Sequence, residues 1–187
     1  MKKTVLTFGL ITGVMISVLM GGSMLIANKM GASSGGHNGM LLGYTMMVAS
    51  FLLIYFGIRS YRDNSLGGQI SFGHAFSCGI LIALITSVCY VAMWEILYFN
   101  FIPHVMDSYW AAQIQKVQTA GLDPATTAAQ VAAIQHSAQL YQNPLINMAY
   151  TFMEPLPVGL LITLISAALL RRKAPATGNS SADAAVA

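Results

Sequence analysis

The stretch Arg59–Gly79, RSYRDNSLGGQISFGHAFSCG, separates two long apolar segments of the chain. Arg59 and Arg62 within it are among the few cations that can fix the direction in which those segments cross a bilayer. Positive side chains concentrate on the cytoplasmic side of membrane proteins. This stretch therefore decides the topology of the chain and, with the apolar segments on either side, its fold class.

The composition places those segments in a membrane. Of the 187 residues, 56% are hydrophobic and 8% are charged, against about a quarter charged in soluble domains. Three uncharged runs, Thr4–Asn28, Met30–Ile58 and Asn64–Trp94, are 25, 29 and 31 residues long. About 20 apolar residues in a helix cross a hydrocarbon core of about 30 Å. Each run is long enough for one span, so the sequence predicts an all-α integral membrane protein.

The N-terminal apolar run is too long for a cleaved signal peptide. Met1-Lys2-Lys3 precedes apolar residues that continue to about Ala27, whereas the apolar region of a signal peptide has about 7–15 residues. We therefore predict an uncleaved first span.

The full pattern predicts a four-helix membrane bundle with an extramembrane helical hairpin between helices three and four. The predicted spans lie at about 5–27, 40–58, 72–98 and 145–170. An outer segment at about 105–142 is too polar to span, with Gly121 as its turn and Asp123-Pro124 at the start of its second helix. Residues 1–173 are predicted to form one membrane domain, followed by a disordered tail at 174–187.

Local residues mark where these helices begin and break. Gly67-Gly68 predicts a turn, and Ser71 predicts an N-cap before the third span. Asn143-Pro144 begins the fourth span. Glu154-Pro155-Leu156-Pro157 interrupts that span, because proline has no N–H to donate.

Lysine and arginine counts predict the orientation. With four spans, seven basic residues fall on one side of the membrane and two, Lys29 and Lys116, on the other. The seven are Lys2, Lys3, Arg59, Arg62, Arg171, Arg172 and Lys173. The positive-inside rule then predicts that both termini and the loop after Arg62 are cytoplasmic and that the hairpin lies outside.

Small residues recur at every fourth position in three predicted spans. They are Gly9, Gly13, Ser17 and Gly21 in the first, Ala75, Gly79, Ala83 and Ser87 in the third, and Gly159, Thr163 and Ala167 in the fourth. Such stripes let helices approach closely in lipid, where no hydrophobic force drives their association. We predict that they pack helix against helix, with the first span as a candidate partner of the third. They leave self-association or an unidentified membrane protein partner open.

Glu95 and Glu154 are the only acids within predicted spans, and both are expected near the outer surface. A charge at the bilayer centre costs at least about 2.5 kcal/mol, so an acid in a span needs an explanation. Two interpretations are open. Either the carboxylates are bonded to Asn, Tyr or backbone groups freed by the prolines, or the pair lines a proton or cation site that opens outward.

Arg59, Arg62 and His74 lie at the predicted cytoplasmic loop and are candidate contacts to lipid headgroups. A basic residue near an anionic leaflet contributes about 1 kcal/mol of attraction, which is enough to explain the two arginines. For His74 the alternatives are a structural anchor and a proton or headgroup contact beside the arginines.

The sequence predicts no metal or other cofactor. His104 and Asp107 are one helical turn apart and His136 lies across the hairpin, but this set is incomplete and lacks a known metal-ligand spacing. No nucleotide fingerprint and no nucleophile–base spacing indicates an enzyme. Arginine-rich runs interleaved with aromatic residues, typical of nucleic-acid binding, do not occur outside the membrane flanks.

Four sequence features resemble one known family. They are YFGIRSYRD at Tyr55–Asp63, GGQISFGHAFSCG at Gly67–Gly79, the polar segment that closes at Asn143-Pro144, and a last span that ends in a basic cluster. Together they resemble domain of unknown function four-one-nine-nine, a bacterial family of small four-helix membrane proteins. The resemblance covers nearly all of the chain up to Lys173 and implies a multi-pass protein of the bacterial inner membrane without an established activity. His74, where the family commonly has lysine or glutamine, and the Ala- and Gln-rich outer segment depart from its pattern.

The sequence predicts the class of protein more closely than its role. The leading interpretation is a non-enzymatic structural or accessory component that packs through small residues in the lipid bilayer. The alternative is a small transporter or channel subunit with a proton or cation site at Glu95 and Glu154, and an intramembrane enzyme ranks third. The first two interpretations differ in whether the acids face a polar cavity between the helices.

Overall fold

The computed structural model describes residues 1–29 and 37–172, which are all-α. Its helical segments are α1 (Lys2–Lys29), α2 (His37–Phe51), α3 (Leu53–Ser65), α4 (Phe72–Asn100), α5 (Asp107–Gln118), α6 (Pro124–Tyr141), α7 (Pro144–Phe152) and α8 (Pro155–Leu170). α2 continues into α3 across Leu52, and α7 continues into α8 across Met153 and Glu154. The predicted tail at 174–187 and residues 30–36 of the predicted first loop lie outside the described residues.

Four of these helices are long and apolar enough to cross a membrane. In the described part of the chain they cover Lys2–Ile26, Leu41–Ser65, Phe72–Asn100 and Pro144–Leu170. Large apolar side chains on their outer faces are exposed, among them Val18 at 62%, Val88 at 60% and Leu169 at 71%. A soluble monomer rarely exposes so much contiguous apolar surface. The predicted fold class is confirmed, and the four spans indicate a multi-pass membrane protein.

Helix α4 lies at the centre of the bundle, with α1 parallel to it. Gly9 of α1 lies opposite Ile85, and Gly13 lies opposite Cys89, so residue numbers rise together along the two helices. The approach at Gly13 is so close that a methyl group added there would lie 2.6 Å from Cys89 Sγ. One turn further on, the hydroxyl of Ser17 donates to the Cys89 carbonyl oxygen at 3.3 Å.

Helix α8 packs antiparallel on another face of α4. A methyl group added at Gly79 would lie 2.7 Å from Thr163 Cγ2 of α8 and 2.9 Å from Ile58 Cδ1 of α3. One added at Gly159 would lie 3.0 Å from Ala83 Cβ. The small residues Gly79 and Ala83 therefore face α8 and α3, whereas α1, the candidate partner named from the sequence, packs on Ile85 and Cys89 instead.

The remaining small residues differ in how closely they pack. Ala75 and Ser87 of α4 are fully buried. Gly21 of α1 is within only ordinary van der Waals reach of α4, since an added methyl group would lie 3.6 Å from Met93 Sδ and 3.7 Å from Leu97 Cδ1. The tight contacts between α1 and α4 therefore end before Gly21.

One end of the bundle carries Arg59 and Arg62 of α3 together with Arg171 and Arg172, which follow α8, and we call it the basic end. Gly67 and Gly68, with φ of 62° and 85°, turn the chain there from α3 towards α4, in backbone conformations that glycine adopts without strain. Ile70 and Arg172 then form an antiparallel bridge, with N–H···O distances of 3.1 and 3.0 Å. This bridge fastens the end of α8 beside the start of α4.

The local signals for helix starts are confirmed. Ser71 is the N-cap of α4, where its hydroxyl accepts from the backbone N–H of His74 at 3.4 Å. Asp123 caps α6, with Pro124 as the first helical residue, and accepts from the N–H of Thr126 at 3.0 Å. Side chains of these types satisfy backbone donors that a helix start leaves without a partner.

Helices α5 and α6 form the predicted hairpin at the opposite end, which we call the hairpin end. Gly121 turns the chain between them with φ of 70°. Apolar residues of the two helices, Ile114 and Val117 of α5 and Val131 and Ile134 of α6 among them, are half-buried where the helices pack together. The hairpin then packs through α6 on α7.

Candidate functional site

A cavity of about 700 Å³ lies at the hairpin end, between the spans and the hairpin. Its described lining is rich in aromatic rings and thioethers. The aromatic residues are Tyr44, Tyr90, Trp94, Tyr109, Trp110, Tyr141 and Tyr150, and the methionines are Met20, Met24, Met46, Met47 and Met106. Ser23, Ser137, Thr151 and Glu154 add polar groups. The cavity is therefore mostly apolar, with a small number of polar groups.

Glu154 is the only carboxylate or basic side chain among the described residues that line this cavity. It lies at the break between α7 and α8, immediately before Pro155. Because proline donates no N–H, the fourth span loses helical hydrogen bonds at this point. The hydroxyl of Tyr90 on α4 donates to Glu154 Oε2 at 2.9 Å. This bond joins α4 to the broken span at the cavity wall.

Asn147 is the polar centre of the wall between α4 and α7, and it is fully buried. The indole N–H of Trp94 donates to Asn147 Oδ1 at 2.9 Å, and the hydroxyl of Thr151 donates to the same oxygen at 3.1 Å. Asn147 Nδ2 donates to the carbonyl oxygen of Tyr141 at 3.2 Å. The sequence patterns did not single out this residue, although an amide among the apolar residues of the fourth span was a visible signal.

Stacked and edge-on aromatic rings attach the hairpin to the spans. Trp94 and Tyr98 of α4 have ring centroids 5.8 Å apart, and Tyr98 meets Tyr141 of α6 edge-on at 5.6 Å. Tyr141 in turn meets Trp110 of α5 at 5.9 Å. Burial raises the pKa of Tyr141 to about 12, so its hydroxyl stays neutral at physiological pH.

Glu95 lies away from the cavity. It follows Tyr90 by five residues on α4, which places it about 140° around the helix from the side chain that bonds Glu154. It is absent from the described cavity lining, and its Oε1 atom is buried with no hydrogen-bond partner among the described residues. The structure therefore does not bring the two predicted acids into one site.

The family model of DUF4199, described as a protein of unknown function, matches residues 7–172. The chain belongs to this family. No curated protein and no solved structure matches it. Membership in DUF4199 confirms the resemblance carried by Arg59–Gly79 and assigns no activity to the cavity.

The basic end of this DUF4199 protein holds the predicted loop residues in two separate groups. Arg62 and Arg59 both contact Asp63, with N···O distances of 2.7 and 3.6 Å. His74 is exposed and its Nδ1 lies 2.9 Å from the hydroxyl of Ser71. The arginines are thus bonded at the end of α3 and His74 at the start of α4. The carboxylate of Asp63 partly offsets the charges of the two arginines.

The histidines of the hairpin end form no metal-ligand cluster in the part of the chain that the structure describes. His104 Nδ1 lies 3.0 Å from Asp107 Oδ2, and both side chains are largely exposed. Within residues 1–29 and 37–172, no three His, Cys, Asp or Glu side chains come together as metal ligands. Of the three residues His104, Asp107 and His136 considered from the sequence, the structure brings together only His104 and Asp107.

Proposed function

We propose that this DUF4199 member is a non-enzymatic structural or accessory component of the bacterial cytoplasmic membrane. The close packing of α4 against its neighbours supports this proposal. At Gly9 and Gly79 the helices approach to distances at which an added methyl group would overlap a neighbour, so this part of the bundle is solid. A solid bundle suits a protein that holds or supports partners in the membrane.

The orientation is part of the proposal, with both termini in the cytoplasm and the hairpin outside. The distribution of lysine and arginine along the sequence supports it, since the four predicted spans place seven such residues on one side of the membrane and two on the other. The bridge between Ile70 and Arg172 is consistent with that partition, because it joins the loop and the end of α8 at one face of the bundle.

Cysteine labelling tests this orientation. In a background with Cys78→Ala and Cys89→Ala, a membrane-impermeant maleimide should label Lys116→Cys in intact cells and Ser65→Cys only after lysis. Labelling of both positions in intact cells, or of neither, would contradict the proposed arrangement of the spans.

A second candidate function, a small transporter or channel subunit, is favoured by the position of Glu154. This acid lines a cavity where the fourth span is broken, and transporters often bind substrate at broken helices. The form of this hypothesis drawn from the sequence used Glu95 as well, and Glu95 lies on another face of α4.

Flux through proteoliposomes separates the two candidates. A transport role through the cavity predicts proton or monovalent cation flux that Glu154→Gln abolishes, while the matched variant Glu95→Gln retains it. The accessory role predicts no flux above empty liposomes in the wild type or in either variant.

A further inference from the structure

The cavity at the hairpin end has the size of a small-molecule site. Its volume is about 700 Å³, within the range of about 300–1,000 Å³ that is typical of ligand pockets. Such pockets are mostly apolar with a few polar groups that fix the ligand. The lining of aromatic rings, methionines and one carboxylate fits that description.

The charge of the lining selects the sign of the ligand. Glu154 is the only carboxylate among the described residues of the lining, and these residues include no lysine, arginine or histidine to balance it. Tyr90 donates one hydrogen bond from a neutral hydroxyl to Glu154 Oε2, which orients the carboxyl group and supplies no positive charge. A carboxylate in apolar surroundings is stabilised by a cation in contact with it.

The rings beside this carboxylate select the kind of cation. Faces of Trp and Tyr rings attract cations, and the attraction strengthens when the cation has lost its water. Trp94, Trp110 and Tyr141 line the cavity and form one aromatic cluster through Tyr98. Methionine side chains such as that of Met20 adapt to irregular apolar shapes. A bare metal ion would leave most of this apolar lining without contact, whereas an organic cation would cover it.

We propose that the cavity binds a monovalent organic cation with an apolar body, with Glu154 as its counter-ion and Trp94 and Trp110 against its apolar groups. The ligand class is that of lipophilic amines and quaternary ammonium or phosphonium ions. Binding at this site requires no transport, so the inference goes beyond the accessory role and does not depend on it.

Tryptophan fluorescence reports on this cavity directly. The chain contains two tryptophans, Trp94 and Trp110, and both line it. The full chain, purified in detergent, is titrated with tetraphenylphosphonium and, separately, with tetraphenylborate. The two ions have nearly the same shape and opposite charge. We expect saturable quenching by tetraphenylphosphonium at fixed detergent concentration and only weak, unsaturable quenching by tetraphenylborate.

Three variants assign the binding to Glu154. Glu154→Gln keeps the shape of the side chain and removes its charge, so it should weaken tetraphenylphosphonium binding about tenfold or more. Glu154→Asp keeps the charge and should retain most of the affinity. The matched control Glu95→Gln removes an acid outside the cavity and should leave the affinity unchanged. Circular dichroism and monodisperse elution show which variants are folded.

Three results would overturn the inference. One is equal saturable binding of both ions to the wild type, which would indicate an apolar pocket without charge selection, and this comparison stands even if Glu154→Gln does not fold. Another is a folded Glu154→Gln variant with wild-type affinity for tetraphenylphosphonium. The third is the absence of any saturable quenching by the cation, whatever the labelling and flux experiments show about orientation and transport.

Discussion

The glycine-packed region and the cavity region of this bundle are built on the same helices and pack in opposite ways. In the glycine-packed region, at Gly9, Gly13, Gly57, Gly79 and Gly159, a methyl group added to any of these glycines would lie 3.0 Å or less from a neighbouring side chain. In the cavity region the same α4 carries Tyr90 and Trp94, and about 700 Å³ stays open beside them. The size of the residues along α4 and its neighbouring helices therefore determines where the helices pack closely and where a cavity remains.

The comparison also shows two ways of holding helices together in lipid. In the glycine-packed region, small residues let the helices approach closely. Van der Waals contact then holds the helices together, since no hydrophobic force favours their association in lipid. Around the cavity, helix contact depends on a few specific bonds, chiefly those of Asn147 and of Glu154 with Tyr90. We expect the glycine-packed region to contribute more to stability and the cavity region to carry the function.

The largest effect is expected from filling a tight glycine contact. Gly13→Leu would force a side chain against Cys89, since even a methyl group would lie 2.6 Å from Sγ and 2.8 Å from Cβ. Overpacking of this kind costs about 1–3 kcal/mol, and occasionally more. The melting temperature in detergent should fall clearly.

The matched control lies on the same helix. Gly22 has no heavy atom within 4 Å of an added methyl group, so Gly22→Leu should leave the melting temperature close to the wild-type value. Equal losses from the two substitutions would show that the close contact between Gly13 and Cys89 is not what stabilises this part of the bundle.

A somewhat smaller loss is expected at the centre of the cavity wall. Asn147→Leu removes the acceptor of both Trp94 Nε1 and the Thr151 hydroxyl. The buried indole N–H of Trp94 is then left without its partner, and an unsatisfied buried donor costs about 1–3 kcal/mol. Trp94 emission should also shift, because its indole N–H loses its partner.

The control for this substitution is the preceding residue, Ile146, which is half-buried in the same helix. Ile146→Leu keeps the side-chain volume nearly constant and removes no hydrogen bond, so it should change the melting temperature much less. Wild-type emission of Asn147→Leu together with an unchanged melting temperature would show that the Asn147 bonds do not hold the wall.

Much of the fold follows from local sequence. The uncharged runs predict the spans because the bilayer sets their length. Ser71 and Asp123 predict helix starts because each side chain caps its own backbone, and Gly121 predicts a turn because glycine takes positive φ easily. These signals need no knowledge of which helix lies beside which.

The cavity could not be predicted in the same way. Tyr90 and Glu154 are 64 positions apart, and periodicity within one helix does not say which face of another helix it meets. The small-residue stripe that includes Gly79 correctly predicted close helix packing. It did not predict the helix on the other side of that contact, because Thr163 and Gly159 lie on α8. Pairing of distant faces depends on how all the helices pack together.

A smaller effect is expected from the bond between Tyr90 and Glu154. Tyr90→Phe removes the hydroxyl that donates at 2.9 Å, at a cost below about 1 kcal/mol by the average for membrane helices. The melting temperature should change little. Tyr44→Phe removes a hydroxyl elsewhere on the same cavity and is the control. A large loss for Tyr90→Phe would place the cavity region among the main sources of stability.

The smallest effect is expected at the start of α6. Hydrogen bonding from Thr126 lowers the pKa of Asp123 below its usual value. The stabilisation is therefore fully present above the pKa of the unfolded chain and is lost as the pH falls through the lower folded value. Hydrogen exchange in the first turn of α6 should accelerate on acidification relative to Asp123→Asn, which keeps an acceptor but does not titrate.

Equal exchange in the wild type and in Asp123→Asn at every pH would mean that the charge of Asp123 contributes nothing to the cap. The change should stay within the hairpin. Gly13 and Gly79 lie in the spans, so exchange around them should not respond.

The parallel contact of α1 with α4 has a consequence for biogenesis. The ribosome makes α1 first, but the surface on which Gly9 and Gly13 rest belongs to α4, which emerges only after α2 and α3. Until then the glycine face of the nascent first helix has no counterpart within its own polypeptide. We expect the insertion machinery or lipid to shield it, and crosslinking from Gly13 in nascent chains stalled before Ser71 would identify the temporary neighbour.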